Sequence, residues 1–270
     1  MHLILDFDGT ITVKDTVGEL AQAAIAFQKH HRGIDLQGQW DKVVQDYLKD
    51  LKSYNARYSP PEGDRQDISE ELCYLSGLDG IENASLDRVE RSGAFSGLKR
   101  ENLFEMGVDK ITRGSIVIRE GLDEMLQLAS QQEWTVDIIS VNWSKAFIEG
   151  VLHNFRHYSI SVLANEVTEA GKINGPQFLG RRLTTSLDKA ACLAHQVAGY
   201  SGTTIYFGDS TTDLECLLHQ RGIVIAADEK SSLMQTLCRI GIPVPHACDS
   251  HGGGNCSGPE TSKRFYRTIY

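Results

Sequence analysis

Apolar and polar positions follow two different rhythms along this chain. Residues 2–7 form a short apolar run that Gly9 breaks, as a strand does where it turns into a loop. From Asp15 to about Leu103, apolar residues recur at three- and four-residue spacing. That spacing predicts helices over 18–27, 40–51, 68–78 and 86–95 and no strand, with a loop around Pro60, Pro61 and Gly63. After Ile116 short apolar runs alternate with helical stretches. Helices are expected over 121–131, 144–153, 186–198, 212–219 and 231–240, and strands over 135–140, 160–164, 203–207 and 223–225, with a turn-rich stretch at 170–176. Such alternation predicts a parallel sheet with helices on both faces. The chain therefore reads as an α/β protein whose all-helical block is inserted after the first strand. The Gly-rich residues 243–270 read as a mobile tail.

Composition narrows the partners. The 270 residues carry 27 Lys and Arg against 36 Asp and Glu, a formal charge of −9. An acidic balance argues against nucleic-acid backbones and anionic membrane surfaces, both of which select basic faces. It leaves room for a small anionic substrate, because one cation can invert the field of a site. No apolar stretch approaches the roughly 20 residues of a membrane-spanning helix. Asp6 spoils a secretory leader, and the 6 cysteines show no disulfide-framework spacing. The expectation is a cytoplasmic protein with reduced thiols.

The candidate chemistry lies at predicted strand ends, where open parallel sheets bind ligands. Asp6 and Asp8 follow the first strand and Ser140 ends the next. Gly208-Asp209-Ser210-Thr211-Thr212-Asp213 follows a later one, and Lys189 starts a helix that approaches the same rim. Acids gathered at one mouth repel unless a cation sits among them. Oxygen ligands with a phosphate-bearing substrate suit Mg²⁺.

Asp6-Phe7-Asp8-Gly9-Thr10, Ser140, Lys189 and Gly208-Asp209-x-x-x-Asp213 resemble the four ordered motifs of the haloacid dehalogenase superfamily. The resemblance runs to about Ile242. The helical insertion and the Ala164-Asn165-Glu166…Gly171-Lys172-Ile173…Gly175 stretch look like its phosphoserine-phosphatase-like branch. It implies a Rossmann-like core over 1–14 and 110–242 with a helical cap over 15–109. It also implies a Mg²⁺-dependent phosphatase acting on a small phosphorylated metabolite. Asp6 would be the nucleophile that forms an aspartyl-phosphate, and Asp8 the general acid and base. Mg²⁺ would be held by Asp6, the Asp8 backbone carbonyl and Asp209, with Asp213 as a supporting ligand. Ser140 and Lys189 would bind phosphoryl oxygens. Retention of Asp8 favours phosphate esters over halides, because a halide leaves without a proton. Thr10 and Asp15 would face the substrate.

The motif-two serine is followed by Val141-Asn142-Trp143 instead of the usual glycines. Asn142 could donate to phosphate or substrate, and Trp143 narrows the mouth. Arg119-Glu120-Gly121 stands where the family commonly has Arg-Pro-Gly.

Plainer readings stand beside these. Asp209 and Asp213 also suit a helix start, and Asp15 could N-cap the first helix of the insertion. Lys145 and Lys172 compete with Lys189 as the phosphate lysine. His246, Cys248, His251 and Cys256 match no standard zinc spacing. Trp40, Tyr47, Tyr54 and Tyr58 read as packing between helices. A phosphotransferase and a non-catalytic binding protein of the same fold are the alternatives to a phosphatase.

Overall fold

The computed structural model describes residues 1–246 and the backbone of 265–269. Five parallel strands make the sheet: β1 (His2–Leu5), β2 (Thr135–Ile139), β3 (Ile160–Leu163), β6 (Thr204–Gly208) and β7 (Arg221–Ala226). A two-stranded hairpin, β4 (Glu166–Val167) with β5 (Ile173–Asn174), stands apart, and its second strand falls within the stretch read as turns. Across the sheet the order is β3-β2-β1-β6-β7, closed by an antiparallel edge strand β8 (Phe265–Ile269) on β7. That edge strand falls where a mobile tail is expected. Residues 247–264 and 270, with Cys248, His251 and Cys256 among them, lie outside the described residues.

Alternation along the strands explains the two hydrophobic layers. Leu3, Leu5, Val136, Ile138 and Val162 face one side of the sheet. Ile4, Ile139, Tyr206 and Val224 face the other. Buried on both sides, the strands are apolar nearly throughout, as a parallel sheet requires. Helices α6 (Leu122–Gln131) and α7 (Lys145–Val151) belong to the first layer, while α8 (Ser186–Gln196), α9 (Leu214–His219) and α10 (Ser232–Arg239) belong to the second.

Five helices lie between β1 and α6 in the chain: α1 (Val17–Arg32), α2 (Gln37–Arg57), α3 (Ile68–Ser76), α4 (Asp79–Ser92) and α5 (Arg100–Thr112). A domain boundary at 109/110 would cut through α5. This helix is fastened to the core by glycine. A Cβ on Gly107 would meet the Phe147 carbonyl at 2.3 Å, and one on Gly150 would meet that of Phe104 at 2.1 Å. Two missing side chains thus let the α5 and α7 backbones touch, a use of glycine that no larger residue can copy.

Strand order places the chemistry. The chain leaves β1 for β2 on one side and reaches β6 and β7 on the other, so β1 sits at the topological switch point. Ligands bind in the crevice that opens there, outside the carboxyl ends of the strands.

Candidate active site

β1 ends in a tight loop, Phe7–Ile11, that turns through Gly9 at φ 76° and is tied off by the Thr12 N–H donating to the Phe7 carbonyl at 3.0 Å. Glycine is required twice over at position 9. The left-handed φ disfavours a side chain, and a Cβ would lie 2.1 Å from Asp209 Oδ2. Arg119 holds the loop from outside, donating from Nε to the Thr10 carbonyl at 2.9 Å and from Nη2 to that of Gly9 at 2.5 Å.

Asp6 is buried at the end of β1, and its Oδ1 accepts from the Phe7 N–H at 2.7 Å. The same oxygen lies 2.8 Å from Lys189 Nζ. Lys189 is fully buried and reaches Asp213 Oδ1 at 2.7 Å as well. A capping box sets the first turn of α8, with Thr185 Oγ1 accepting from the Asp188 N–H and Asp188 accepting from the Thr185 N–H, and so aims Lys189 at the rim. Lys189 is therefore the lysine at this site. Lys145 sits 3.9 Å from Glu149, and Lys172 is exposed at the β4–β5 turn.

Both oxygens of Asp213 are committed. Oδ1 takes Lys189 and the Tyr206 hydroxyl at 2.8 Å. Oδ2 takes the Asp209 N–H at 3.2 Å, the Ser210 N–H at 3.1 Å and the Ser210 hydroxyl at 3.1 Å. The helix-start reading and the site reading of Asp213 therefore coexist. Gly208 is needed beside it, because a Cβ there would meet that of Asp213 at 2.5 Å.

Carboxylate oxygens of Asp6, Asp209 and Asp213 all lie within 4.8 Å of one another. Burial first, then the Asp213 charge, pushes the Asp6 carboxyl well above the usual range, against the pull of Lys189. Burial and Asp213 likewise carry Asp209 up to about 7. Lys189 stays charged: burial would lower it, but Asp213 and Asp6 outweigh burial and hold it above the ordinary lysine value. Three hard oxygen donors around one ammonium leave an excess of negative charge. Opposite ligands of Mg²⁺ stand about 4.2 Å apart, twice the metal–oxygen distance. A cluster within 4.8 Å is on the scale of that span, and Asp6 and Asp209 offer hard oxygen donors that suit the ion, with the already committed Asp213 behind them.

Asp8 stands apart from that cluster. Its Oδ1 accepts from the Thr16 N–H at 2.7 Å and the Thr16 hydroxyl at 2.6 Å, and its Oδ2 from Asn142 Nδ2 at 2.9 Å. Burial, followed by the nearby Asp15 charge, raises the carboxyl to about 6 despite these hydrogen bonds.

Several expected roles are relocated. Thr10, expected to face the substrate, is buried, and its hydroxyl donates to Asp209 Oδ1 at 2.9 Å. Asn142 spends its amide on Asp8 and, at 3.2 Å, on Thr16. The hydroxyl of buried Ser140 accepts from the Asn142 N–H at 3.1 Å. Asp15 stands one residue before the cap position of α1 and still meets its first N–H. Exposed, it accepts from the Val17 N–H at 2.9 Å, while Thr16 occupies the cap position and turns its hydroxyl to Asp8 instead of to the helix.

Four contributors escaped sequence reasoning: Thr16, Arg119, Tyr206 and Asn165. Buried Asn165 donates to the carbonyls of Val141, Asn142 and Leu183, which pins the motif-two loop. Its only sequence signal was membership of a motif quoted for another purpose.

A cavity of about 370 Å³ opens between this rim and the helical insertion. Asp15 and Trp143 line it, together with Trp40, Tyr47 and Glu82 from α2 and α4. The aromatic series of α2 therefore divides. Trp40 and Tyr47 turn to the cavity, while Tyr54 and Tyr58 pack against Tyr74.

No helix among the described residues is long and apolar enough to cross a membrane. A CTO1 family protein of Schizosaccharomyces pombe is 28% identical over 235 residues, covering 80% of this chain and 78% of that protein. A Bordetella pertussis Tohama I protein of unknown function has a solved structure that superposes with a TM-score of 0.51 at 12% identity. The match covers 82% of this chain and 87% of that one and shows a shared fold. A substrate-bound phosphoserine phosphatase complex superposes at 0.47 with 15% identity, over 81% of each chain. The family model of haloacid dehalogenase-like hydrolases matches residues 3–218, the span that holds Asp6, Asp8, Ser140, Lys189, Asp209 and Asp213, and the chain belongs to that family.

Proposed function

We propose that the protein is a Mg²⁺-dependent phosphomonoesterase that hydrolyses a small phosphorylated metabolite through an aspartyl-phosphate on Asp6. One observation carries the reading: two acids two residues apart are held in separate networks suited to separate tasks. Lys189 and the Phe7 N–H both engage Asp6 Oδ1, which leaves Oδ2 to approach phosphorus. Asp8, raised to about 6, holds a proton in mildly acidic solution and can give it up.

In the first half-reaction Asp6 Oδ2 attacks phosphorus, the ester P–O bond breaks, and Asp8 delivers its proton to the departing alkoxide. In the second, Asp8 takes a proton from water as that water attacks the phosphorus of the aspartyl-phosphate. Inorganic phosphate leaves, and both acids return to their starting states. Lys189 neutralises developing charge on the transferring group, since phosphoryl transfer depends mainly on positioning and charge. Mg²⁺, held by Asp6 and Asp209 with Asp213 behind them, would supply further charge neutralisation. Thr10 orients Asp209, and Tyr206 orients Asp213. Thr16 and Asn142 fix the direction in which Asp8 presents its proton. The helical insertion acts as a cap that shields the mouth from bulk water.

The test is phosphate release from a panel of phosphorylated metabolites and an aryl phosphate, with Mg²⁺ and with EDTA. Release that requires Mg²⁺ is the expected result. Release that survives chelation, or silence across the panel from folded protein, would overturn the proposal.

A further inference from the structure

The cavity beside the acids has an unusual wall for a phosphate-handling enzyme. On α2, Trp40 and Tyr47 stand seven residues apart, two turns along one helix face. Across from them is Trp143, its ring 6.0 Å from that of Trp40 and inclined at 70°. Glu82 of α4 enters the same space and accepts a hydrogen bond from the Tyr47 hydroxyl at 2.9 Å. Asp15 adds a second carboxylate between this wall and Asp8, and no Lys, Arg or His is among the described residues lining the cavity.

We propose, resting on the phosphomonoesterase reading above, that this cavity receives the alcohol portion of the substrate and that this portion carries a quaternary nitrogen, free or within a ring, against Trp40, Tyr47, Trp143 and Glu82. A second anion would be repelled by Glu82 and Asp15. A neutral alkyl group would strip water from Glu82 and offer nothing in return. A primary ammonium keeps its hydration tightly and needs several acceptors, whereas a quaternary nitrogen is weakly hydrated and gains most from aromatic faces. Burial already raises the Glu82 carboxyl above the ordinary range, with the Tyr47 hydroxyl opposing the rise, so a nearby cation would restore its charge. The volume lies at the small end of ligand pockets, which suits one ring or one trimethylammonium group.

Two isosteric esters isolate the charge: (1-methylpyridinium-3-yl)methyl phosphate and 3-methylbenzyl phosphate. The proposal predicts kcat/KM about tenfold higher for the cationic ester, the scale of a desolvated cation–π contact with a carboxylate beside it. Glu82→Gln should shrink that ratio severalfold. Asp15→Asn, which keeps the acceptor for Val17 and so the local fold, should shrink it by less. The two parent alcohols, titrated calorimetrically, give a readout that needs no turnover, and the cationic alcohol should bind more tightly. Equal turnover of both esters with equal binding of both alcohols would overturn the inference and leave the phosphomonoesterase reading standing. Tighter binding of the cationic alcohol, weakened in Glu82→Gln or Asp15→Asn, with neither ester hydrolysed, would uphold the cation site and overturn the enzymatic reading. Neither turnover nor selective binding would overturn both.

Discussion

Two buried ionic clusters in this molecule use the same ingredients and reach opposite balances. Where α3 meets α10, the Glu71 carboxylate sits between two guanidiniums, 2.7 Å from Arg65 Nε and 2.9 Å from Arg239 Nη2. Arg65 also lies over the Tyr74 ring at 3.9 Å. Every charge there has its partners, and the cluster fastens the insertion to the core. At the rim the roles reverse: one ammonium, Lys189, serves Asp6 and Asp213 while Asp209 crowds the same space. The second cluster is left with more negative charge than the protein neutralises, and burial, with the Asp213 charge second, pushes Asp6 and Asp209 up. A buried cluster whose carboxylate is fully met by cations is structural, and one whose carboxylates outnumber its cations is waiting for a ligand.

Substitutions can separate the two. The largest effect is expected at Asp6→Asn, which keeps an acceptor for Lys189 and removes the nucleophile. Turnover should fall at least a thousandfold, roughly 4 kcal/mol, with an unchanged circular dichroism spectrum. Retained activity would mean that the rim is only another structural cluster. Lys189→Met comes next, since it strips the rim of the ammonium that serves both Asp6 and Asp213. Thermal unfolding without divalent ions should show a loss of about 3–5 kcal/mol, and Mg²⁺ should recover part of it. Glu71→Gln removes the carboxylate between Arg65 and Arg239 and should cost about 3 kcal/mol. Mg²⁺ should recover none of that loss, and below the unfolding temperature kcat should hold.

The smallest effect concerns pH. Asp8 must be protonated to serve the leaving group, so activity should fall as pH rises through about 6. The Asp15 charge contributes to that raised value by disfavouring a second carboxylate nearby. Asp15→Asn removes the repulsion, lowers the Asp8 pKa and should move the alkaline limb of the pH–rate profile to lower pH. An unmoved limb would separate Asp15 from the acid–base step.

The contrast between the clusters also marks what was legible in the sequence. Asp6, Asp8, Ser140 and Asp209 could be placed because apolar runs break at them, and a strand end in a parallel sheet faces the binding edge. The alternation of β6, α9 and β7 was equally clear. What escaped depended on contacts across long stretches of chain. Arg119 reaches Gly9 over 110 positions, and Tyr47 reaches Glu82 over 35, and no local pattern announces either partner. Helix α5 was hidden because part of its packing face is Gly107, where the absence of a side chain makes the contact. Two-residue strands such as β4 and β5 are too short to show a period.

The most direct measurement is a calorimetric titration of the metal-free protein with Mg²⁺, repeated on Asp209→Asn. If the imbalance at the rim marks a cation site, the wild type binds one ion and Asp209→Asn loses that binding, while Glu71→Gln keeps it. A wild type that binds no ion, or an Asp209→Asn variant that binds as tightly as the wild type, would contradict that claim.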